Sequence, residues 1–261
     1  VTVREGGKTS LLDLGEGGVI PSLLYFERDR RASVGAEAIL DYTEALARWK
    51  GSGNLYSHFR FFQALKLALK DPAFTGTTIF GERMTPEALA GIFLREVKRR
   101  ADAARAEAAR SGDAARDAAL VLGRPVVLSP DPGEDALIEA RFRKAALAAG
   151  FSSVDFVFEP VAAAVDVLGE ERSNVLVFDF GGGTLDISVA RNEGDSIAIL
   201  ATSGADLGGY LLNEDISRSR IIRHFGAEGK FRTMTGRELD MPKWLTDQVA
   251  SFYALPLADI V

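Results

Sequence analysis

Val175-Leu176-Val177-Phe178-Asp179-Phe180-Gly181-Gly182-Gly183-Thr184-Leu185-Asp186-Ile187-Ser188 decides how the rest of the chain is read. Apolar residues flank a triple-glycine turn, which predicts two β-strands joined by a tight loop. Glycines lack Cβ, so their N–H groups can converge closely on a phosphate. Asp179 stands at the strand end, where a carboxylate can hold Mg²⁺ through water. Thr184 adds a hydroxyl donor beside the phosphates. Gly-Gly-Gly alone fits a plain β-turn equally well. Asp179, Thr184 and Asp186 at this spacing between apolar strands favour the phosphate site.

Working outward, Asn174–Asp179, Thr184–Arg191 and Ile197–Thr202 read as strands, the last two paired through a turn at Asn192–Gly194. Upstream, Ala118–Leu122 and Val154–Phe158 read as strands. Glu134–Ala149, closed by Gly150, and Val161–Leu168, closed by Gly169, read as helices. Strand–helix alternation followed by an antiparallel hairpin predicts a mixed α/β sheet. Earlier still, Thr85-Pro86-Glu87 is a helix start: Thr caps free N–H groups and Pro fits the first helical position. Leu89, Ile92, Phe93 and Val97 follow at helical spacing, and that helix is expected to run toward Ser111-Gly112. Val34–Trp49 and Phe61–Leu69 also read as helices. Val1–Arg4 and Lys8–Leu12 read as a hairpin, with Gly18–Phe26 a third strand interrupted by Pro21. Beyond about Gly208 the pattern is helical and less regular.

The chain has 261 residues, 47% of them hydrophobic and 26% charged, which suits one large domain or two modest ones. A net charge of -6 gives no general attraction to a nucleic-acid backbone, and none is expected as a partner. The run Lys98-Arg99-Arg100 reads as a solvated helix face. There is no cysteine, so disulfides and thiolate metal sites are excluded and a reducing cytoplasm is the simplest compartment. His58 and His224 are too far apart in sequence for a familiar zinc spacing. No Ser sits in a nucleophile elbow. No apolar run reaches the roughly 18–20 residues of a membrane span, so no membrane partner is expected. No signal peptide is visible, and because the chain does not open on Met, its natural start is expected upstream.

A second segment, Glu159-Pro160-Val161-Ala162-Ala163-Ala164, ends a strand and opens a helix. Glu159 there can cap the helix, or, beside Asp179, can serve Mg²⁺ or orient a water.

With these two segments side by side, a resemblance becomes specific. Asp179–Asp186 resembles the second phosphate motif of the actin, sugar-kinase and heat-shock ATPase superfamily. Glu159–Ala164 resembles the first connecting segment of its seventy-kilodalton heat-shock (DnaK-like) branch, and the spacing of the two also fits. Leu207-Gly208-Gly209, Pro21–Phe26 and Val34-Gly35 resemble further segments of that branch. Gly123-Arg124-Pro125 and Arg143–Gly150 do so in a form most similar to divergent, YegD-like members. The similarity runs from Val1 to about Gly209.

The resemblance implies an actin-like ATPase (ribonuclease-H-like) fold of mixed sheets flanked by helices, lobe I nearly complete and lobe II partial. The first lobe is expected over 1–170, with an insert at about 30–84, and the partial second lobe over 171–261. It implies ATP/ADP and Mg²⁺ as cofactors and Mg-ATP hydrolysis driving lobe closure. Catalytic roles fall on Lys66, Glu159 and Asp179, with Asp179 and Glu159 reaching the metal through water. Nucleotide binding falls on Gly181, Gly182, Gly183, Thr184, Gly208 and Gly209. Lys66 orients the nucleophilic water, although by its own pattern it also reads as an exposed helix lysine. Pro125 and Arg143 match a pair that relays nucleotide state. Client or co-chaperone proteins are the implied protein partners.

Two departures matter. The family's first phosphate motif and its adenosine-binding glycine motif are absent, and Leu211 and Asn213 replace acidic residues. This chain alone is therefore expected to bind ATP weakly or not at all and to be inactive as an ATPase. A small-molecule kinase of the same superfamily, or a non-catalytic scaffold, are the alternative readings.

Overall fold

The computed structural model describes residues 2–5, 8–15, 19–28, 32–51, 58–109, 119–167, 174–194 and 196–250. These form two compact units. The first runs up to Leu122 and resumes over Pro132–Asp155; the second takes Gly123–Asp131 and continues from Phe156.

In the first unit, β1 (Thr2–Glu5) and β2 (Lys8–Leu11) form an antiparallel hairpin; its turn glycines, Gly6 and Gly7, lie outside the described residues. Next, β3 (Leu24–Glu27) is central in a sheet, flanked by β4 (Ser33–Val34) and, after α1 (Ala36–Arg48), by β5 (Phe59–Phe62). Gly18 lies outside the described residues, and of 19–26 only the end is a strand, because Leu23 N–H turns back to the Pro21 carbonyl (2.8 Å). The expected helix over 61–69 divides into β5 and α2 (Leu65–Lys70). Phe59 and Phe62 are buried against β3, with Leu24 opposite Phe62 and Tyr25 stacked on Phe59, so strand pairing overrides the local helical pattern. Ala38 and Ala45, two turns apart on α1, meet the same aromatic cluster.

A hairpin of β6 (Thr77–Ile79) and β7 (Glu82–Met84) leads into α3 (Pro86–Ala109). Thr85 caps α3 as expected, its Oγ1 accepting Ala88 N–H (3.2 Å), while Ser111-Gly112 lie outside the described residues. After β8 (Ala119–Arg124) comes α4 (Pro132–Ala148), which packs on α3. Arg141 of α4 ties in α2: its guanidinium donates to the carbonyls of Leu69 (3.4 Å), Asp71 (2.7 Å) and Pro72 (3.3 Å). Leu69 is in the last turn of α2, where carbonyls lack intrahelical donors, and Asp71 and Pro72 follow directly after it. On α3, hydrogen bonds from Arg99 and then Arg100 hold the buried Glu96 carboxyl at about 2, against the pull of burial. Arg100 also donates to the Val34 carbonyl (3.3 Å).

Strand β9 (Ser153–Phe158) pairs with β8, each strand starting in the first unit and ending in the second. The second unit continues with α5 (Glu159–Val167) and a sheet of order β10 (Asn174–Phe180), β11 (Leu185–Asn192), β12 (Ile197–Ala205). Gly169 lies outside the described residues. One sheet face packs on α5, where Pro160 and Ala164 are buried and Ser188 Oγ donates to the Pro160 carbonyl (3.1 Å). Then follow α6 (Gly209–Ile216), irregular helical turns over Ser217–Phe225, the hairpin of β13 (Lys230–Arg232) and β14 (Glu238–Asp240), and α7 (Lys243–Ala250). Arg218 bridges α6 to α7 through Glu214 (2.7 Å) and Asp247. Among the described residues no helix is long and apolar enough to cross a membrane.

Candidate functional site

The glycine segment folds as the strand pattern requires. β10 and β11 pair from Asn174 opposite Arg191 to Phe180 opposite Leu185, and Gly181–Thr184 closes the hairpin. Gly181 N–H donates to the Thr184 carbonyl across the loop (2.8 Å). Gly182 is exposed, and Thr184 is buried.

What orients the loop is the start of α6. Gly209 N–H donates to the Gly181 carbonyl (3.1 Å) and Tyr210 N–H to the Gly182 carbonyl (2.7 Å). Two of the N–H groups that a helix start leaves free are thereby satisfied by the loop. In a trans peptide the carbonyl and the following N–H point in opposite directions. With the carbonyls of Gly181 and Gly182 turned toward α6, the N–H groups of Gly182 and Gly183 point away from it. Two backbone donors on one side of a loop suit an anion. Close approach depends on Gly208: a β-carbon there would lie 2.7 Å from backbone atoms of Gly182 and Gly183. Gly208 and Gly209 thus stand directly behind the loop.

The carboxylates come next. Asp179 is half-buried and sits directly opposite Asp186 in the ladder, so both point to the α5 face. Like charges opposite one another repel unless paired. Asp186, at 1% exposure, accepts Val126 N–H through Oδ1 (2.7 Å), which ties the hairpin to the Gly123–Asp131 turn. Gly204 on β12 makes room for that carboxylate, since a β-carbon there would be 2.8 Å from Oδ1. Glu159 opens α5, a position where the helix dipole favours a negative charge. A β-carbon on Gly123 would lie 3.2 Å from Glu159 Cγ, so a larger residue there would have to shift the Glu159 side chain slightly. Pro125 is fully buried, and Arg124 folds onto its own turn, donating to the Pro125 carbonyl (3.1 Å) and lying over the Phe158 ring (5.6 Å).

Glu159, Asp179, the three glycines, Thr184, Gly208 and Gly209 all belong to the second unit. Lys66 is the second residue of α2, half-buried, in the first. Arg143 is also in the first unit, donating to the Val154 carbonyl and pairing with Glu139 (3.3 Å), whereas Pro125 is in the second. Among the described residues no group of three or more His, Asp or Glu is placed to hold a metal ion directly. Sequence reasoning used Asp186 only as part of the motif's spacing and Gly123 only in a resemblance, and it gave no role to Gly204 or Tyr210. Tyr210 carried a usable signal as the residue next to Leu207-Gly208-Gly209.

A mixed α/β fold whose hairpin offers backbone donors beside two carboxylates defines a nucleotide-binding domain of the actin-like ATPase class. The profile described as "Hsp70 protein" matches residues 1–240, and the chain belongs to the Hsp70 family. It is 28% identical over 255 residues to "Chaperone protein DnaK" of Elusimicrobium minutum (strain Pei191), covering 92% of this chain and 35% of that protein. It is 28% identical over 218 residues to "Chaperone protein DnaK" of Endomicrobium trichonymphae, covering 79% and 30%. It is 41% identical over 107 residues to "Heat shock 70 kDa protein BIP3" of Oryza sativa subsp. japonica, covering 39% and 15%. The chain spans about a third or less of the length of these relatives and carries part of the family's ATPase domain.

Proposed function

We propose that the protein to which this chain contributes binds Mg-ATP at the Gly181–Thr184 hairpin and hydrolyses it by in-line attack of water on the γ-phosphate. The observation that carries this reading is the pair of loop carbonyls bonded to the start of α6, which turns the N–H groups of Gly182 and Gly183 outward. Those donors stabilise the charge that builds on the phosphate oxygens. Thr184 and Gly181 shape the loop, and Gly208 and Gly209 hold it from behind. Glu159, at the start of α5, orients the attacking water, and Lys66 steadies it. Oxygen donors of the Asp179 and Glu159 type suit magnesium, held through water. Magnesium, when bound, neutralises phosphate charge.

Nucleotide state biases closure of a first lobe (about 1–170, with an insert near 30–84) on a second that begins near 171. Pro125 and Arg143 relay that state to client or co-chaperone proteins in the cytoplasm. Gly123-Arg124-Pro125 supports a YegD-like branch. Relatives named as chaperone and heat-shock proteins support a chaperone over a small-molecule kinase. The test is Asp179→Ala in the intact protein, which abolishes ATP turnover; unchanged turnover sinks the reading. The chain alone, lacking the first phosphate motif, binds Mg-ATP more weakly than micromolar by calorimetry.

A further inference from the structure

Tyr210 touches the glycine loop twice. Its N–H donates to the Gly182 carbonyl (2.7 Å). Its ring edge occupies the space where Gly182 would carry a side chain: a β-carbon there would lie 3.1 Å from Cε2, 3.4 Å from Cζ and 3.6 Å from Cδ2. The main-chain bond is available to any residue at 210 except proline, but the ring contact needs a planar, rigid side chain. We propose that Tyr210 is a positioning residue of the phosphate loop: its ring packs against the Gly182 α-carbon and holds the Gly182–Gly183 peptide in the orientation that presents its N–H to a phosphate. Gly182 is exposed and glycine has the largest freedom to lose, so the ring adds a side-chain restraint to the backbone bonds that already orient this peptide. Preorganising a loop in its bound conformation raises affinity by reducing the ordering cost at binding. The ring contributes before any ligand arrives.

The inference rests on the phosphate reading above, and one experiment separates the two. The ¹⁵N-labelled chain is titrated with Mg-ATP while the amides of Gly182, Gly183 and Thr184 are followed by NMR, for the wild type, Tyr210→Phe, Tyr210→Leu and Tyr210→Ala. Tyr210→Phe keeps the ring and stays within about twofold of the wild type, whereas Tyr210→Ala and Tyr210→Leu weaken ATP binding by about tenfold. Melting temperature and the amide shifts of α7 stay as in the wild type for all three, which a merely structural role would not allow. If the wild-type amides respond and Tyr210→Leu binds ATP as tightly as the wild type, the role of Tyr210 is overturned and the phosphate reading stands. If weakening comes only with a parallel fall in melting temperature, the ring is structural and the proposal fails. If the wild-type loop amides do not respond to ATP at all, the phosphate reading falls and this inference with it.

Discussion

The helical part of the first unit and the glycine loop of the second hold their elements together by different means. In the first, long cationic side chains reach across to backbone carbonyls: Arg95 to Ala148, Arg100 to Val34, Arg141 to Leu69, Asp71 and Pro72. In the second, at the glycine loop, backbone meets backbone, and glycines at 208 and 182 clear the space. A guanidinium on a flexible stem tolerates small shifts of what it holds. Two peptides in direct contact do not, so their N–H directions are fixed. The first arrangement builds a scaffold; the second aims donors.

The sharpest way to break the comparison is Gly208→Ala. Its β-carbon meets backbone atoms at 2.7 Å, and no flexible side chain can move aside. Destabilisation of the second unit by about 3 kcal/mol is expected in urea unfolding, with loss of the loop-to-α6 bonds. An unchanged midpoint would show that the contact is not as close as drawn.

Arg141→Ala tests the other side. It strips donors from the end of α2 and should cost about 2 kcal/mol. Arg141→Lys recovers only part of that, because an ammonium lacks the fork that spans several carbonyls. Full recovery by lysine would mean that charge alone holds α2.

Glu96 makes the first unit's dependence on side-chain charge a matter of pH. Its folded pKa of about 2 lies below the ordinary 4.5. A depressed carboxylate stabilises fully above the unfolded value and loses that contribution as pH falls through the folded one. The melting temperature of the wild type should therefore drop between pH 4.5 and pH 2. Glu96→Gln is less stable at neutral pH, and the gap to the wild type closes across that window. A gap constant with pH contradicts the ion-pair account.

The smallest effect is expected at Gly15, with φ +83° and no atom within 4 Å of an added β-carbon. Gly15→Ala should cost about 1 kcal/mol by backbone strain alone, well below Gly208→Ala. If thermal melts rank the two equally, steric contact is not what distinguishes the loop glycines.

Much of this was legible in the sequence because local and tertiary signals agreed. The β10–β11 hairpin, its turn and the opening of α5 at Glu159 follow from apolar runs, three glycines and a proline at a helix start. The Asn192–Gly194 turn is held as its residues suggest, with Gly194 N–H on Asn192 Oδ1 (2.7 Å). β5 was not legible, since its last two residues, Phe61 and Phe62, read as the start of a helix until β3 is beside them. The three-residue strands of β6–β7 and β13–β14 are too short to show a period. At the site, a Gly-Gly-Gly run announces closeness to something, but not that Gly208 and Tyr210 are what it is close to. Asp186 bonding Val126, 60 residues away, leaves no local trace.

The central claim is that the loop turns the N–H groups of Gly182 and Gly183 outward because the carbonyls of the same peptides, Gly181 and Gly182, are bonded to the N–H groups of Gly209 and Tyr210, while Gly181 and Tyr210 already spend their own N–H groups inside the fold. The most direct measurement is an amide-by-amide NMR titration of the wild-type chain with Mg-ATP. The account predicts saturable shifts at Gly182 and Gly183, with Gly181 and Tyr210 nearly unmoved. Equal movement at all four, or movement at Gly181 and Tyr210 alone, would contradict it.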